Sequence, residues 1–165
     1  MIALRILNIK KLIASILVKP DFDRYSLIEA QITTFCTFSI DGRLERDFFE
    51  GSEEQPSSGS GYISWGMVRE RCFDIIRGKR TPLSFKFVFF YPPDLLLPFL
   101  REHDVTVRED NVLGLCINLR FDGTNLLLTT GTSMKAFTAD RSCDRAWDEE
   151  VLRLITSMDI EPEQL

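Results

Sequence analysis

Histidine is almost missing from this chain: one residue, His103, in 165. A structural zinc site needs about four Cys or His ligands at close spacing. The cysteines stand far apart, at 36, 72, 116 and 143, with no C-x-x-C pair. Neither a zinc site nor a redox dithiol is expected, and no cofactor. No Asp or Glu set has the spacing of a calcium loop. The lone His103 lies between Glu102 and Asp104 at an expected helix end. The negative pole of the helix accounts for it there, and no catalytic residue is assigned.

Long apolar runs are also lacking. The N-terminal stretch Met1 to Val18 is apolar but interrupted by Arg5, Lys10 and Lys11. A signal peptide places its charge before one apolar block, and a membrane-spanning helix needs about 20 apolar residues. The expectation is a soluble cytoplasmic protein with no membrane partner. Positive charge is scarce too: 20 Lys and Arg against 25 Asp and Glu, a net charge of −5. That argues against a dedicated nucleic-acid binder, although a local basic face can sit on an acidic protein.

What the chain has is apolar material and pattern. Hydrophobic residues make up 44%, with thirteen phenylalanines, enough for one core in a chain of this length. Cys36 and Cys116 alternate with strand residues and Cys72 falls on a helical stripe, so these read as small buried hydrophobes. Ile2, Leu4 and Ile6 alternate as a strand. Asn8 can cap a helix carrying Ile9, Leu12, Ile13, Ile16 and Leu17, with Pro20 as its stop. Tyr25 to Ile40 is long enough for two strands, and Asp41-Gly42 is a hairpin signal. Arg43 to Phe49 alternates again. Residues 50–61 are a Gly/Ser/Glu loop with nothing to bury. A helix follows over 65–77, with Gly78 at its C-cap.

Leu83 to Tyr91 is nearly all apolar and predicts a central strand buried on both faces. Pro92-Pro93 ends it and opens a helix running to about His103. Leu113, Leu115, Ile117, Leu119 and Phe121 alternate as a strand, which Asp122-Gly123 turns into Asn125 to Thr130. Trp147, Val151, Leu154, Ile155 and Met158 give the stripe of a C-terminal helix, with Asp148, Glu149 and Glu150 on its outward face.

The order recurs. Ile2 to Gly42 and Leu83 to Gly123 both run strand, helix, long strand and Asp-Gly turn. The fold class is therefore α+β: two β-α-β-β(-β) repeats, 2–49 and 83–137, with largely antiparallel sheets. The loop and the 65–77 helix join them within one domain. In topology this resembles the half-domains of DNA processivity clamps, whose two units pack sheet to sheet. That resemblance implies a homo-oligomer around DNA and carries over no residue. Five landmarks resemble an uncharacterised family of short clostridial proteins of unknown function. They are Ile32-Thr33-Thr34-Phe35, Asp41-Gly42-Arg43-Leu44, residues 78–85, residues 129–133 and Ala146-Trp147-Asp148. This second resemblance spans nearly the whole chain and implies a bacterial, cytoplasmic protein with no stated activity.

Two segments are candidates for binding. Arg71, Arg77, Lys79 and Arg80 gather near one helix end and can contact phosphate or an acidic partner. The competing account is a solvated helix end balancing its dipole. Gly78-Lys79 is not a phosphate-binding P-loop, because it follows a helix and precedes a strand. The run 129–133, with Thr130 and Ser133, can form an anion-binding turn. Local hydrogen bonding explains its hydroxyls equally. The first reading is a non-catalytic interaction protein whose partner is a protein or nucleic acid. The alternative is a small enzyme acting on an anionic substrate at 129–133.

Overall fold

The computed structural model describes residues 1–54, 56 and 59–165. Seven strands form one sheet: β1 (Ala3–Ile6), β2 (Ser26–Thr33), β3 (Thr37–Asp41), β4 (Ser84–Phe90), β5 (Val112–Phe121), β6 (Leu126–Met134) and β7 (Pro162–Gln164). Their spatial order is β3-β2-β4-β5-β6-β1-β7, and every pairing is antiparallel. Four helices accompany it: α1 (Ile9–Leu17), α2 (Arg69–Ile76), α3 (Pro93–Glu102) and α4 (Ser142–Ser157).

Side-chain parity divides the sheet into two unlike faces. Leu4, Leu27, Ile32, Phe85, Phe87, Phe89, Leu115, Ile117, Leu119 and Leu128 are buried and point to one side. The helices pack there. Trp65 lies against Phe87 and Phe89, with ring centroids 5.2 and 5.1 Å away. Its Nε1 donates to the carbonyl of Ile16 in α1 at 2.7 Å. Trp147 of α4 meets Tyr91 and Phe99 of α3 edge to face. Positions one residue out of phase, including Arg5, Gln31, Lys86, Asn118 and Arg120, occupy the uncovered face. The expectation that β4 is buried on both sides is thus corrected. Its burial alternates strictly, because Phe85, Phe87 and Phe89 already supply the core.

Other local expectations hold for identifiable reasons. Asn8 caps α1, its Oδ1 accepting from the Lys11 amide at 3.2 Å. Pro93 opens α3 at its first turn, where a missing N–H costs nothing. Asp122 turns β5 into β6, its Oδ1 accepting from the amides of Thr124 and Asn125.

Some expectations do not hold. Asp41-Gly42 is no hairpin turn. The β2–β3 reversal comes earlier, at Thr34–Cys36, where the Thr34 amide donates to the Cys36 carbonyl at 2.9 Å. Cys36 is therefore exposed in a turn, while Cys72 and Cys143 are buried. Gly42 instead docks on β2, its amide donating to Ile28 O at 3.0 Å. Residues 43–49 are not a strand. Arg43 makes a single bridge to Tyr62, and Arg46–Phe49 wind into a 3-10 helix. The 65–77 helix is two pieces, a 3-10 turn at Trp65–Met67 and then α2. Asp148 turns toward β6 rather than outward, and β7 was not foreseen.

The element types follow the same order in β1-α1-β2-β3 and β4-α3-β5-β6, but the two Asp-Gly turns do not correspond: Asp41-Gly42 follows β3, whereas Asp122-Gly123 lies between β5 and β6. The neighbours differ: β4 lies beside β5, whereas β4, β5 and β6 stand between β2 and β1. The strands also make one continuous sheet, not two stacked ones.

Two exposed loop carboxylates should add a modest acid dependence to the stability of the fold. The backbone amides of Asn125 and Thr124 hold the Asp122 carboxyl below its ordinary range. The Thr106 hydroxyl and the Ser142 amide do the same for Asp140. A carboxyl depressed in the folded state stabilises above its unfolded pKa of about 3.9 and loses that contribution as pH falls through the folded value. The melting temperature should be flat above about pH 5 and fall below about pH 4. Asp140→Asn, followed by calorimetry across that range, should shallow the acid limb. An unchanged limb would remove Asp140 from this account.

Candidate binding groove at the β2–β3 turn

The basic segment lies where α2 ends. Arg69 fixes the start of that helix, its Nε donating to Asp23 Oδ1 at 2.6 Å in a half-buried pair. Cys72 is buried beneath it. The chain leaves α2 through Gly78 at φ +151°, a conformation that favours glycine. It then runs to Leu83, whose amide donates to the Thr33 carbonyl at 2.9 Å. That bond lays 77–80 alongside the β2–β3 turn.

A groove of about 510 Å³ results. Its apolar lining is Phe35, Phe38, Ile75 and Ile76, and its charged lining is Asp74, Arg77, Lys79 and Arg80. Phe35 is 92% exposed and meets Phe38 edge to face at 5.8 Å. Thr34 also lines the groove, and its Oγ1 is buried with no hydrogen-bond partner among the described residues. Arg77 is paired with Asp74 at 3.1 Å. Lys79 and Arg80 make no ion pair among the described residues. An apolar floor, two unpaired cations and one unsatisfied hydroxyl together suit an apolar side chain flanked by carboxylates.

The structure therefore brings three of the four basic candidates together. Arg71 is not among the lining residues; its Nη1 donates to Met67 O at 3.0 Å, one turn back. Thr130 and Ser133 are not brought together. Thr130 is buried toward the helices, accepting from the Ile2 amide at 2.9 Å and donating to Asp148. Ser133, three residues on, has the opposite parity and belongs to the uncovered face. Thr132 is likewise engaged, donating to Asp144 at 2.6 Å. His103 faces Phe99, its Nδ1 3.0 Å from that residue's carbonyl and its ring 4.3 Å from the phenyl ring. Burial pushes the thiols of Cys72, Cys116 and Cys143 up to about 11, far from thiolate chemistry at neutral pH. Among the described residues, no three His, Cys, Asp or Glu side chains gather as a metal site. No helix among them is long and apolar enough to cross a membrane.

Sequence reasoning missed the apolar half of the groove. The length of Tyr25 to Ile40 allows two strands and so a reversal within it, but nothing in the sequence places that reversal at Thr34–Cys36 or sets Phe35 and Phe38 beside residues 75–80.

A family model matches residues 15–163, which contain every element from β2 to α4. The chain belongs to the DUF5721 family, a family of unknown function. No curated protein matches it. No solved structure matches it. As a DUF5721 member the chain inherits no assigned chemistry, so its groove has to be read from its own residues.

Proposed function

We propose that this chain is a non-catalytic interaction protein that holds a partner protein at the β2–β3 groove. The observation that carries the reading is the joining of exposed Phe35 to unpaired Lys79 and Arg80 around one depression. An apolar side chain would sit against Phe35, Phe38 and Ile75, while carboxylates beside it meet the cations. Buried aromatic anchors with a charged rim are the usual energetic pattern of such contacts.

A protein partner is favoured over nucleic acid. The groove pairs two free cations with a mainly apolar lining, and the whole chain carries −5. Phosphate-backbone binding depends instead on an extended basic track. A cytoplasmic setting in a bacterium fits the same reading.

The test is fluorescence anisotropy with a labelled peptide bearing one phenylalanine flanked by glutamates. The matched peptide with lysines and a 20-nucleotide duplex serve as controls. Lys79→Glu with Arg80→Glu should weaken the acidic peptide about tenfold or more, since two rim charges reverse sign. Equal binding of both peptides, or binding of the duplex alone, would overturn the assignment.

A further inference from the structure

The chain carries, on its own surface, a segment with the chemistry this groove selects. Residues 45–54 read Glu-Arg-Asp-Phe-Phe-Glu-Gly-Ser-Glu-Glu, five carboxylates against one arginine. Within it, Arg46–Phe49 form the 3-10 helix. Phe48 is 84% exposed and meets half-buried Phe49 edge to face at 5.2 Å. Asp47 and Glu50 flank the pair and are exposed. No ion pair among the described residues involves Asp47 or Glu50.

The segment does not reach the groove of its own chain. The groove lies at the turn that begins β3, and the segment follows the strand's other end. Five residues of strand separate them by about 16 Å. Beyond β3 the chain is tied down: Gly42 N to Ile28 O, Ile63 N to Gly42 O at 2.8 Å, and Leu44 N to Gly61 O at 2.9 Å. The two patches therefore face opposite ends of one edge strand.

We propose that the occupant of the groove is the Asp47–Glu50 segment of a second copy of this chain. Phe48 of one copy enters between Phe35 and Ile75 of the next, and Asp47 and Glu50 meet Lys79 and Arg80. The inference rests on the reading of the groove given above. Because donor and acceptor patches differ, the contact is head-to-tail, and it either closes into a ring or extends as an open chain. A contact built on a few aromatic side chains falls below about 1,200 Å², the range of transient assemblies. Association should therefore depend on concentration.

The experiment is sedimentation velocity of the full chain from about 10 µM to about 1 mM, a range that brackets transient affinities. The wild-type mass should rise across it. Two variants each spoil one patch: Phe48→Ser with Glu50→Lys, and Lys79→Glu with Arg80→Glu. All four positions are on the surface, and circular dichroism verifies folding. Each variant alone should stay monomeric, its self-affinity down about 30-fold, as loss of a central anchor implies. Mixed together they retain one intact groove and one intact segment, and should form a 1:1 dimer and nothing larger.

A wild-type chain that stays monomeric at the highest concentration overturns the proposal. So does association untouched by either variant, or a mixture that fails to pair. The glutamate-flanked peptide separates the two levels. If it binds the groove while the chain stays monomeric, the interaction reading stands and the self-docking falls. If it does not bind, both fall.

Discussion

Trp65→Ala should cost this fold about 3–5 kcal/mol, the range for removing a large aromatic from a packed core. Trp65 is fully buried and touches both Phe87 and Phe89 of the central strand. Its Nε1 is the donor that satisfies Ile16 O at the end of α1. Alanine leaves a cavity between α1, α2 and the sheet and an unpaired buried carbonyl, and the two penalties add. Domains of this kind are typically stable by about 5–15 kcal/mol, so the loss is about a third or more of the stability of a domain in the lower half of that range. Denaturant unfolding followed by circular dichroism checks it. A loss under about 1.5 kcal/mol would mean that the helices hold the sheet without this anchor. Trp65→Phe keeps most of the ring and should recover more than half of the loss.

Gly42→Ala should be nearly as severe, for a different reason. A Cβ at Gly42 would stand 1.7 Å from Leu27 O and 2.6 Å from Leu27 C. Both atoms are backbone of β2, so neither can rotate away. Relief requires lifting the 42–44 segment off the sheet, which breaks the bonds to Ile28 and Ile63. A destabilisation of about 3 kcal/mol or more is expected, the upper end of what overpacking costs. Thermal melting measures it. A shift of only a degree or two would show that the segment does not depend on this close approach. The same lesion should displace the Asp47–Glu50 segment, so partial unfolding and loss of association should appear together.

The fold was legible where one signal acted alone. Phe85, Phe87 and Phe89 and the Leu115–Phe121 alternation locate the central strands, and Trp147 to Met158 locate α4. Legibility failed where two local signals competed. Asp41-Gly42 has hairpin chemistry, but the glycine is spent on contact with Leu27 rather than on a turn. The reversal went to Thr34–Cys36, a run of ordinary strand formers closed by the Thr34 amide on the Cys36 carbonyl. β7 is three residues with no periodicity to read, held by pairing with β1.

The candidate site was half legible. Clustered cations announce themselves in a sequence. The partners that turn Arg77, Lys79 and Arg80 into a groove include Phe35 and Phe38 from a turn much earlier in the chain, and only tertiary pairing brings them together. The threonine run misled because β-strand parity separates neighbours: Thr130 serves the helix side and Ser133 the open side.

The place of β1 sets the order in which this protein can be made. It lies between β6 and β7, and its Arg5 pairs with Glu163, 158 residues along the chain. On the ribosome β2, β3 and β4 can pair as they emerge, while β1 has no neighbour until residues 126–134 are synthesised. Contacts so distant in sequence form late and slowly. Until then Leu4 and Ile6 wait without the strands that flank them, open to a holding chaperone.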